Sequence, residues 1–331
     1  MEYAKQDLLD MYYHLVNGRV YTEKMHQAVN DGHIRTSYHT AWGEEAYQIA
    51  AMSALRPDDW VVMSHRTQPA ALMRLDMYKY TAEIFGKKDG LHNGCGFDLH
   101  ISDMTGPGHV GVRMSTLGSN APMYVGFSWA LKRKGKQQIA LLFTGEGAMS
   151  EGCCYEAMNI GSLYKVPLIY VIDNNGWAMT TPLSRQSVNP NISDRAKPFN
   201  IPTFVVDGSD IVELRRTMDE AVKIARGNQM VVVEAKNKRW GAHYYGQTNA
   251  YRDDMDQIAD AMENQDCVKI YEQYLLKHGV CDETHFAQVK EECAKTIDDV
   301  VRRASEARLP TTEEIYHMRN VYTMPETGGE L

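Results

Sequence analysis

Apolar residues Leu8, Leu9, Met11, Tyr12, Leu15 and Val16 recur at helical spacing, so the chain opens on an amphipathic helix. The first 55 or so residues read as helical throughout. From about Gly86 to Gly118 the periodicity lapses, and Gly, His and Asp accumulate instead. An irregular segment that long inside a compact domain is usually functional or mobile. A helix is expected next from about Ala121 to Lys132, with Pro122 in its first turn, where a missing N–H costs little.

The middle of the chain alternates short apolar runs with helical patterns. QIALLF (138–143) ends at Gly145-Glu146-Gly147, and a helical stretch follows from Ser150 to Tyr164. PLIYVI (167–172) ends at Asp173-Asn174-Asn175-Gly176. TFVV (203–206), a helix over Ile211–Arg226 and MVVVEA (230–235) complete the series. Short buried strands alternating with helices predict an α/β fold: a doubly wound, mainly parallel sheet flanked by helices. Residues 1–255 are expected to form this unit with its N-terminal helices, and 256–331 a charged helical extension and tail. No internal repeat or low-complexity tract is visible.

Composition narrows the function classes. The chain has 331 residues, 44% hydrophobic and 24% charged, enough for a real core. The net charge is −8, from 35 basic and 43 acidic residues, with no basic block, so a nucleic-acid partner is not expected. No apolar run approaches the ~18–20 residues of a membrane span. The acid-bearing N-terminus does not read as a signal or transit peptide. Cys95, Cys153, Cys154, Cys267, Cys281 and Cys293 form no CxxC pair, and reduced thiols in a cytoplasmic protein are expected. The vicinal Cys153–Cys154 reads as two helix positions in preference to a redox pair.

Candidate chemistry lies at two strand ends. In a doubly wound sheet, ligands bind in the crevice beyond the carboxyl ends of the strands. The glycines of Gly145-Glu146-Gly147 let the backbone approach a ligand and offer N–H groups near a helix start. Glu146 supplies a hard anionic oxygen, and an Asn amide with a backbone carbonyl can complete an oxygen shell. Such a set suits Mg²⁺ or Ca²⁺ shared with a diphosphate. Gly and Asn are also ordinary turn formers. The recurrence of Asn174-Asn175 after 26 intervening residues, one strand–helix–strand unit beyond Gly147, favours the ligand reading.

These residues carry a family resemblance. Gly145-Glu146-Gly147 with Asn174-Asn175 resembles the thiamine diphosphate motif, usually Gly-Asp-Gly … Asn-Asn. GEGAMSEGCCYEAMN and NNGWAMTTP are similar to the α subunit of thiamine diphosphate-dependent 2-oxo acid dehydrogenases of the pyruvate, acetoin and branched-chain type. Glu146 departs from the majority Asp, as the branched-chain members do. The resemblance runs from about Met11 to Arg252.

It implies that Glu146, the Asn175 side chain and the Trp177 carbonyl ligate Mg²⁺, with Trp177 standing where Tyr is usual. Gly145, Gly147 and Ala148 would bind the diphosphate through the backbone, with Arg66 as its cation; His65 replaces the family's tyrosine in Ser64-His65-Arg66. Backbone groups of Ser115 and Leu117 would hold the aminopyrimidine, with the Leu117 side chain under the bent cofactor. RWGAHYYGQTNAYRD (239–253) is similar to the family's second active-site loop, which makes His243 the catalytic and diphosphate-facing histidine. Tyr244 stands where regulated members carry a phosphorylatable serine. Gly43-Glu44-Glu45-Ala46 matches a family signature and reads as packing and interface. His100, Gln68 and Tyr244 are candidates for the substrate pocket; His109 is another pocket candidate, and His33 and His39 could face the pocket or solvent.

The resemblance also implies what one chain lacks. The carboxylic acid that activates the aminopyrimidine lies in a pyrimidine-binding domain on a separate β subunit, and no second such domain fits here. A heterotetramer of two α and two β chains, with a lipoyl-bearing acyltransferase or carrier as acceptor, is the implied assembly. The implied reaction is decarboxylation of a 2-oxo acid and transfer of the acyl group. Extra polar and aromatic positions keep open a transketolase-like transfer of a two-carbon ketol unit from a sugar phosphate to a lipoyl carrier. A non-catalytic structural subunit is the alternative from another class.

Overall fold

A computed structural model of the chain describes residues 3–316. Its centre is a five-stranded parallel sheet made of β1 (Trp60–Val62), β2 (Ala140–Gly145), β3 (Leu168–Asn174), β6 (Thr203–Asp207) and β7 (Val231–Lys236). The strand order is β1-β2-β3-β7-β6. A two-stranded hairpin, β4 (Trp177–Ala178) and β5 (Thr181–Pro182), lies beyond the end of β3. The expected doubly wound sheet is therefore present, and every pairing in the large sheet is parallel.

The side-chain period of two divides the strands between two cores. Leu141, Phe143, Ile169, Val171, Val231 and Val233 face one side, Ala140, Leu142, Leu168, Tyr170, Ile172 and Val232 the other. Two-sided burial is why these strands read as unbroken apolar runs. The first face is covered by α1 (Lys5–Asn30), α2 (Ala46–Ser53) and α7 (Ile211–Arg226), together with two short helices, α3 (Gln68–Leu72) and α4 (Met77–Ile84). The second is covered by α5 (Asn120–Arg133) and α6 (Gly152–Leu163).

In α7, Ile211, Leu214, Met218, Ala221 and Ala225 form the buried stripe. Its start is fixed by Asp210, whose side chain accepts from the Val212 and Glu213 N–H groups, both at 3.0 Å. Three further helices follow the sheet: α8 (Met255–Asn264), α9 (Cys267–Lys277) and α10 (Glu283–Glu306), then the short α11 (Thr312–Tyr316). Tyr271, Leu275, Phe286, Val289 and Ile297 bury into the core that α1 shares, so the extension packs back onto the first layer. Truncating one such residue, Ile297 to Ala for example, falls in the class that costs about 2–5 kcal/mol. The expected tail beyond 316 lies outside the described residues.

One expectation needs correction. The N-terminal 55 residues are not continuously helical: α1 ends at Asn30, and Gly32 and Gly43 adopt φ of +77° and +85°, which a helix cannot accommodate. Strand β1 has no sequence signature, because three residues of an edge strand carry too little pattern. The irregular stretch is as expected, with neither helix nor named strand between Ile84 and Asn120. All six cysteines are free thiols. Among the described residues no helix is long and apolar enough to cross a membrane.

Candidate active site

The register of β2 on β3 places Gly145 opposite Asp173, so Glu146 and the Asp173-Asn174-Asn175 turn emerge side by side from the sheet. The Glu146 N–H donates to the Asp173 carbonyl at 3.1 Å. Its carboxyl is buried, and Oε1 has no partner among the described residues. Burial first, and then the neighbouring Asp173, push this carboxyl up to about 7. The Asn175 amide nitrogen donates to Asp173 at 3.2 Å, and its oxygen accepts from the Trp177 N–H at 3.2 Å. The Trp177 carbonyl accepts from Arg239 Nη1 at 3.2 Å. Asp173 is held by the Asn237 amide at 2.7 Å, and burial raises its pKa against that bond and the nearby arginines.

Backbone fit explains the glycine at 147. A Cβ there would strike Ala178 of the hairpin. The N–H groups of Gly147 and Ala148 open a short 3₁₀ turn, Ala148–Ser150, where no preceding turn supplies an acceptor. A hard carboxylate with one unpartnered oxygen among the described residues, an amide oxygen, a backbone carbonyl and helix-start N–H groups therefore converge at one strand end. This donor set fits Mg²⁺ with a diphosphate.

The opposite wall is cationic and imidazole-rich. Arg66 is buried; Nη1 donates to the Thr40 carbonyl at 2.9 Å and Nη2 approaches His243 Nδ1 at 3.2 Å. Arginine has only donors, so His243 Nδ1 is the acceptor and its proton sits on Nε2. Burial, and then Arg66, lower the His243 pKa to about 3. The same two causes, in that order, hold His65 well below its ordinary value, so both rings are neutral. His39 packs edge-on against His65 and His243, with ring centroids 4.7 and 4.8 Å away.

The wall is assembled by segments that lock together. The Tyr245 N–H donates to the Tyr38 carbonyl at 2.8 Å, and the Tyr245 ring stacks on His26 at 4.0 Å. Trp240 lies against Gly43, where a Cβ would collide with the indole.

Between these walls lies a cavity of about 540 Å³, a volume typical of a cofactor site. It is lined by Arg66, His65 and His243, by Ser115 and Leu117, by Gly145, Glu146, Gly147 and Ala148, and by Asn175 and Trp177. Three expected pocket residues are not part of that lining. Gln68 is buried and turns its amide to the carbonyls of His39 and His65. His100 reaches the cavity only through Ser115, whose hydroxyl it meets at 3.0 Å. Tyr244 stands behind His39, 6.5 Å between ring centres. His109 packs against Trp60 and His33 stacks on Phe85, both away from the cavity.

Of the two residues left open between pocket and solvent, His39 faces the cavity, and three further neighbours of the site carry no sequence expectation of that place: Arg113, Glu44 and Arg239. Arg113 also lines the cavity. Glu44, fully buried with neither oxygen partnered among the described residues, lies close enough to Asp173 and Glu146 for their charges to raise its pKa, after burial. It thus stands behind the metal-fitting end, whereas Glu45 does pack, paired with Arg19 at 2.6 Å. Arg239, also buried, bridges the Trp177 and Met179 carbonyls and the Tyr251 hydroxyl.

A parallel α/β sheet with a crevice at its strand ends that fits a hard cation and a diphosphate is the architecture of phosphate-cofactor enzymes. The chain belongs to the dehydrogenase E1 component family, whose model matches residues 13–313. That family is thiamine diphosphate-dependent. The chain is 30% identical over 313 residues to the acetoin:2,6-dichlorophenolindophenol oxidoreductase α subunit of Cupriavidus necator, covering 94% of this chain and 93% of the relative. The Bacillus subtilis protein of the same name is 27% identical over 98% of this chain and 96% of its own length. The pyruvate dehydrogenase E1 α subunit of Zymomonas mobilis is 29% identical over 94% and 88%.

Proposed function

We propose that this chain is the α subunit of a thiamine diphosphate- and Mg²⁺-dependent dehydrogenase that cleaves a 2-oxo acid or a related ketone and passes the acyl group to a lipoyl carrier. The observation that carries the reading is the buried Glu146 carboxylate, whose Oε1 has no partner among the described residues, beside the Asn175 amide oxygen and the Trp177 carbonyl. When bound, thiamine diphosphate supplies the nucleophilic carbon and the electron sink for cleavage beside a carbonyl.

The residues of this chain position and shield it. Glu146, Asn175 and the Trp177 carbonyl hold Mg²⁺, while the N–H groups of Gly147 and Ala148 with Arg66 take the diphosphate. His243, neutral with its proton on Nε2, donates toward the reacting oxygen or the diphosphate. Ser115 and Leu117 hold the aminopyrimidine end at the cavity rim.

The acid that activates the aminopyrimidine comes, in this reading, from a β subunit. Support is the surface of the packed pair α5 and α6, which leaves Met123, Trp129, Ile160 and Leu163 exposed. Exposed apolar residues of this size mark partner surfaces when they gather on one face. The reading also places the protein in the cytoplasm, in keeping with its free thiols.

The test is to assemble the chain with its β partner and measure carbon dioxide release from pyruvate and branched 2-oxo acids, and aldehyde release from acetoin, with a dye acceptor. Turnover is expected only with thiamine diphosphate, Mg²⁺ and both chains present. Turnover by the α chain alone, or unchanged cofactor affinity in Glu146→Ala, overturns the assignment.

A further inference from the structure

Asp98 is fully buried, and neither of its carboxylate oxygens has a hydrogen-bond partner among the described residues. Its Oδ2 lies 3.8 Å from His39 Nδ1, and that nitrogen is itself buried and unpartnered. Two complementary groups, each costly to bury alone, thus face each other across a gap about 1 Å longer than a charge-assisted hydrogen bond. His39 is a cavity-lining ring, and Gln68 fixes its backbone by donating to its carbonyl. The charged and titratable groups around the pair are Arg113 and the Tyr21, Tyr38 and Tyr80 hydroxyls on the carboxylate side, and His65, His243 and Tyr244 around the ring, with Arg66 behind His243.

We propose that Asp98 accepts the Nδ1 proton of His39 and so presents an unprotonated His39 Nε2 to the cavity as the acceptor for a substrate hydroxyl. This complements His243, whose Nδ1 is tied to Arg66 and whose Nε2 is a donor. The cavity then holds one imidazole donor and one imidazole acceptor 4.8 Å apart, a pair matched to a carbonyl oxygen and an adjacent hydroxyl.

The pairing points to a substrate class. A 2-oxo acid loses carbon dioxide without giving a proton to a base. A ketone with a hydroxyl on the next carbon cleaves only if the O–H proton leaves. That proton passes to His39 Nε2 and the hydroxyl carbon departs as an aldehyde. The bonding pair stays on the former carbonyl carbon, where the thiazolium ring of the proposed cofactor is the electron sink. The pair thus equips the cavity to cleave a 2-hydroxy ketone besides a 2-oxo acid, and this role rests on the proposed function; the Asp98–His39 contact does not. Asp98 is the positioning residue and His39 the substrate-facing one.

The contact is tested on [¹⁵N]histidine-labelled α chain by two-dimensional ¹⁵N–¹H multiple-bond spectra, which distinguish the imidazole tautomers. His39 is identified by the signals lost in His39→Gln or His39→Phe. The expected result is a neutral Nδ1–H tautomer in the wild type and a shift toward the Nε2–H form in Asp98→Asn. An Nε2–H form in the wild type, or an identical tautomer in Asp98→Asn, overturns the dyad.

The role is tested on the assembled enzyme with acetoin and pyruvate. Aldehyde release from acetoin is expected to fall at least tenfold more than carbon dioxide release from pyruvate in His39→Gln. In Asp98→Asn the expectation is a smaller loss of the same selectivity and a displaced pH profile for acetoin. Equal losses on both substrates, or a wild-type enzyme that does not cleave acetoin, overturn the hydroxyl role. Failure of all thiamine diphosphate-dependent turnover with the tautomer as expected overturns the proposed function and leaves the dyad standing.

Discussion

The acidic wall of the cavity emerges from two adjacent strands whose register puts Glu146, Asp173 and Asn175 together. The imidazole wall draws His39, His65 with Arg66, and His243 from three loops separated by 26 and 177 residues. On the first side a rigid ladder sets position, and the side chains oppose one another electrostatically: Glu44, Asp173 and Glu146 all have raised pKa values. On the second side no ladder exists, and position depends on arginine and glutamine bonds to backbone carbonyls. The acidic wall stores unfavourable charge that a bound cation would relieve; on the imidazole wall, burial and Arg66 keep His65 and His243 neutral.

The largest expected effect comes from removing the proposed principal ligand of the cation. Glu146→Ala should weaken Mg²⁺-dependent thiamine diphosphate binding by about 100-fold or more in titration calorimetry. Wild-type affinity in that variant would collapse the distinction between the walls. Next comes Arg66→Lys, which keeps the charge but cannot reach both the Thr40 carbonyl and His243. A loss of about 10–100-fold in kcat/KM is expected, and recovery to within twofold would show that charge alone matters.

The acidic wall should also show a stability signature. The raised carboxyl of Glu146 is ionised above about pH 7, and its burial then costs stability that is absent once it is protonated. Stability from this group is therefore present at low pH and is lost as pH rises from the ordinary carboxylate range through about 7. Glu146→Gln should raise the stability of the metal-free chain at pH 8, by up to about 3 kcal/mol, and change little at pH 4. Thermal melts at both pH values check this; stabilisation equal at the two would reject the burial cause. The smallest effect belongs to Tyr244→Phe, which lies outside the lining and should change kcat/KM by less than about threefold. A larger change would extend the imidazole wall to a second layer.

The same difference decides what could be read from the sequence. Gly145-Glu146-Gly147 and Asn174-Asn175 are contiguous, end apolar runs and sit at strand termini, so their place at the cavity was legible. Arg66 and His243 were legible only through family likeness, because nothing in local spacing joins them. His39 and Asp98 were invisible as a pair: 59 positions apart, in loops, they meet only because the segment before α2 folds under the irregular stretch. Gln68 follows Arg66 and looked like pocket chemistry, yet its side chain spends both donors on backbone carbonyls. The helices of the sheet layers were readable from periodicity, whereas the break at Gly32 to Gly43 was masked by flanking helical pattern.

Gly43, seated with positive φ against Trp240, has a consequence for how this enzyme can change. The 38–43 turn and the 239–252 loop meet through this contact, the Tyr245–Tyr38 hydrogen bond and the Tyr245–His26 stack, so neither can be remodelled alone. A chimera that imports a homologue's second loop without its matching turn would leave an indole or a tyrosine with no seat. Transplants between relatives should therefore succeed only when both segments travel together, as one heritable module.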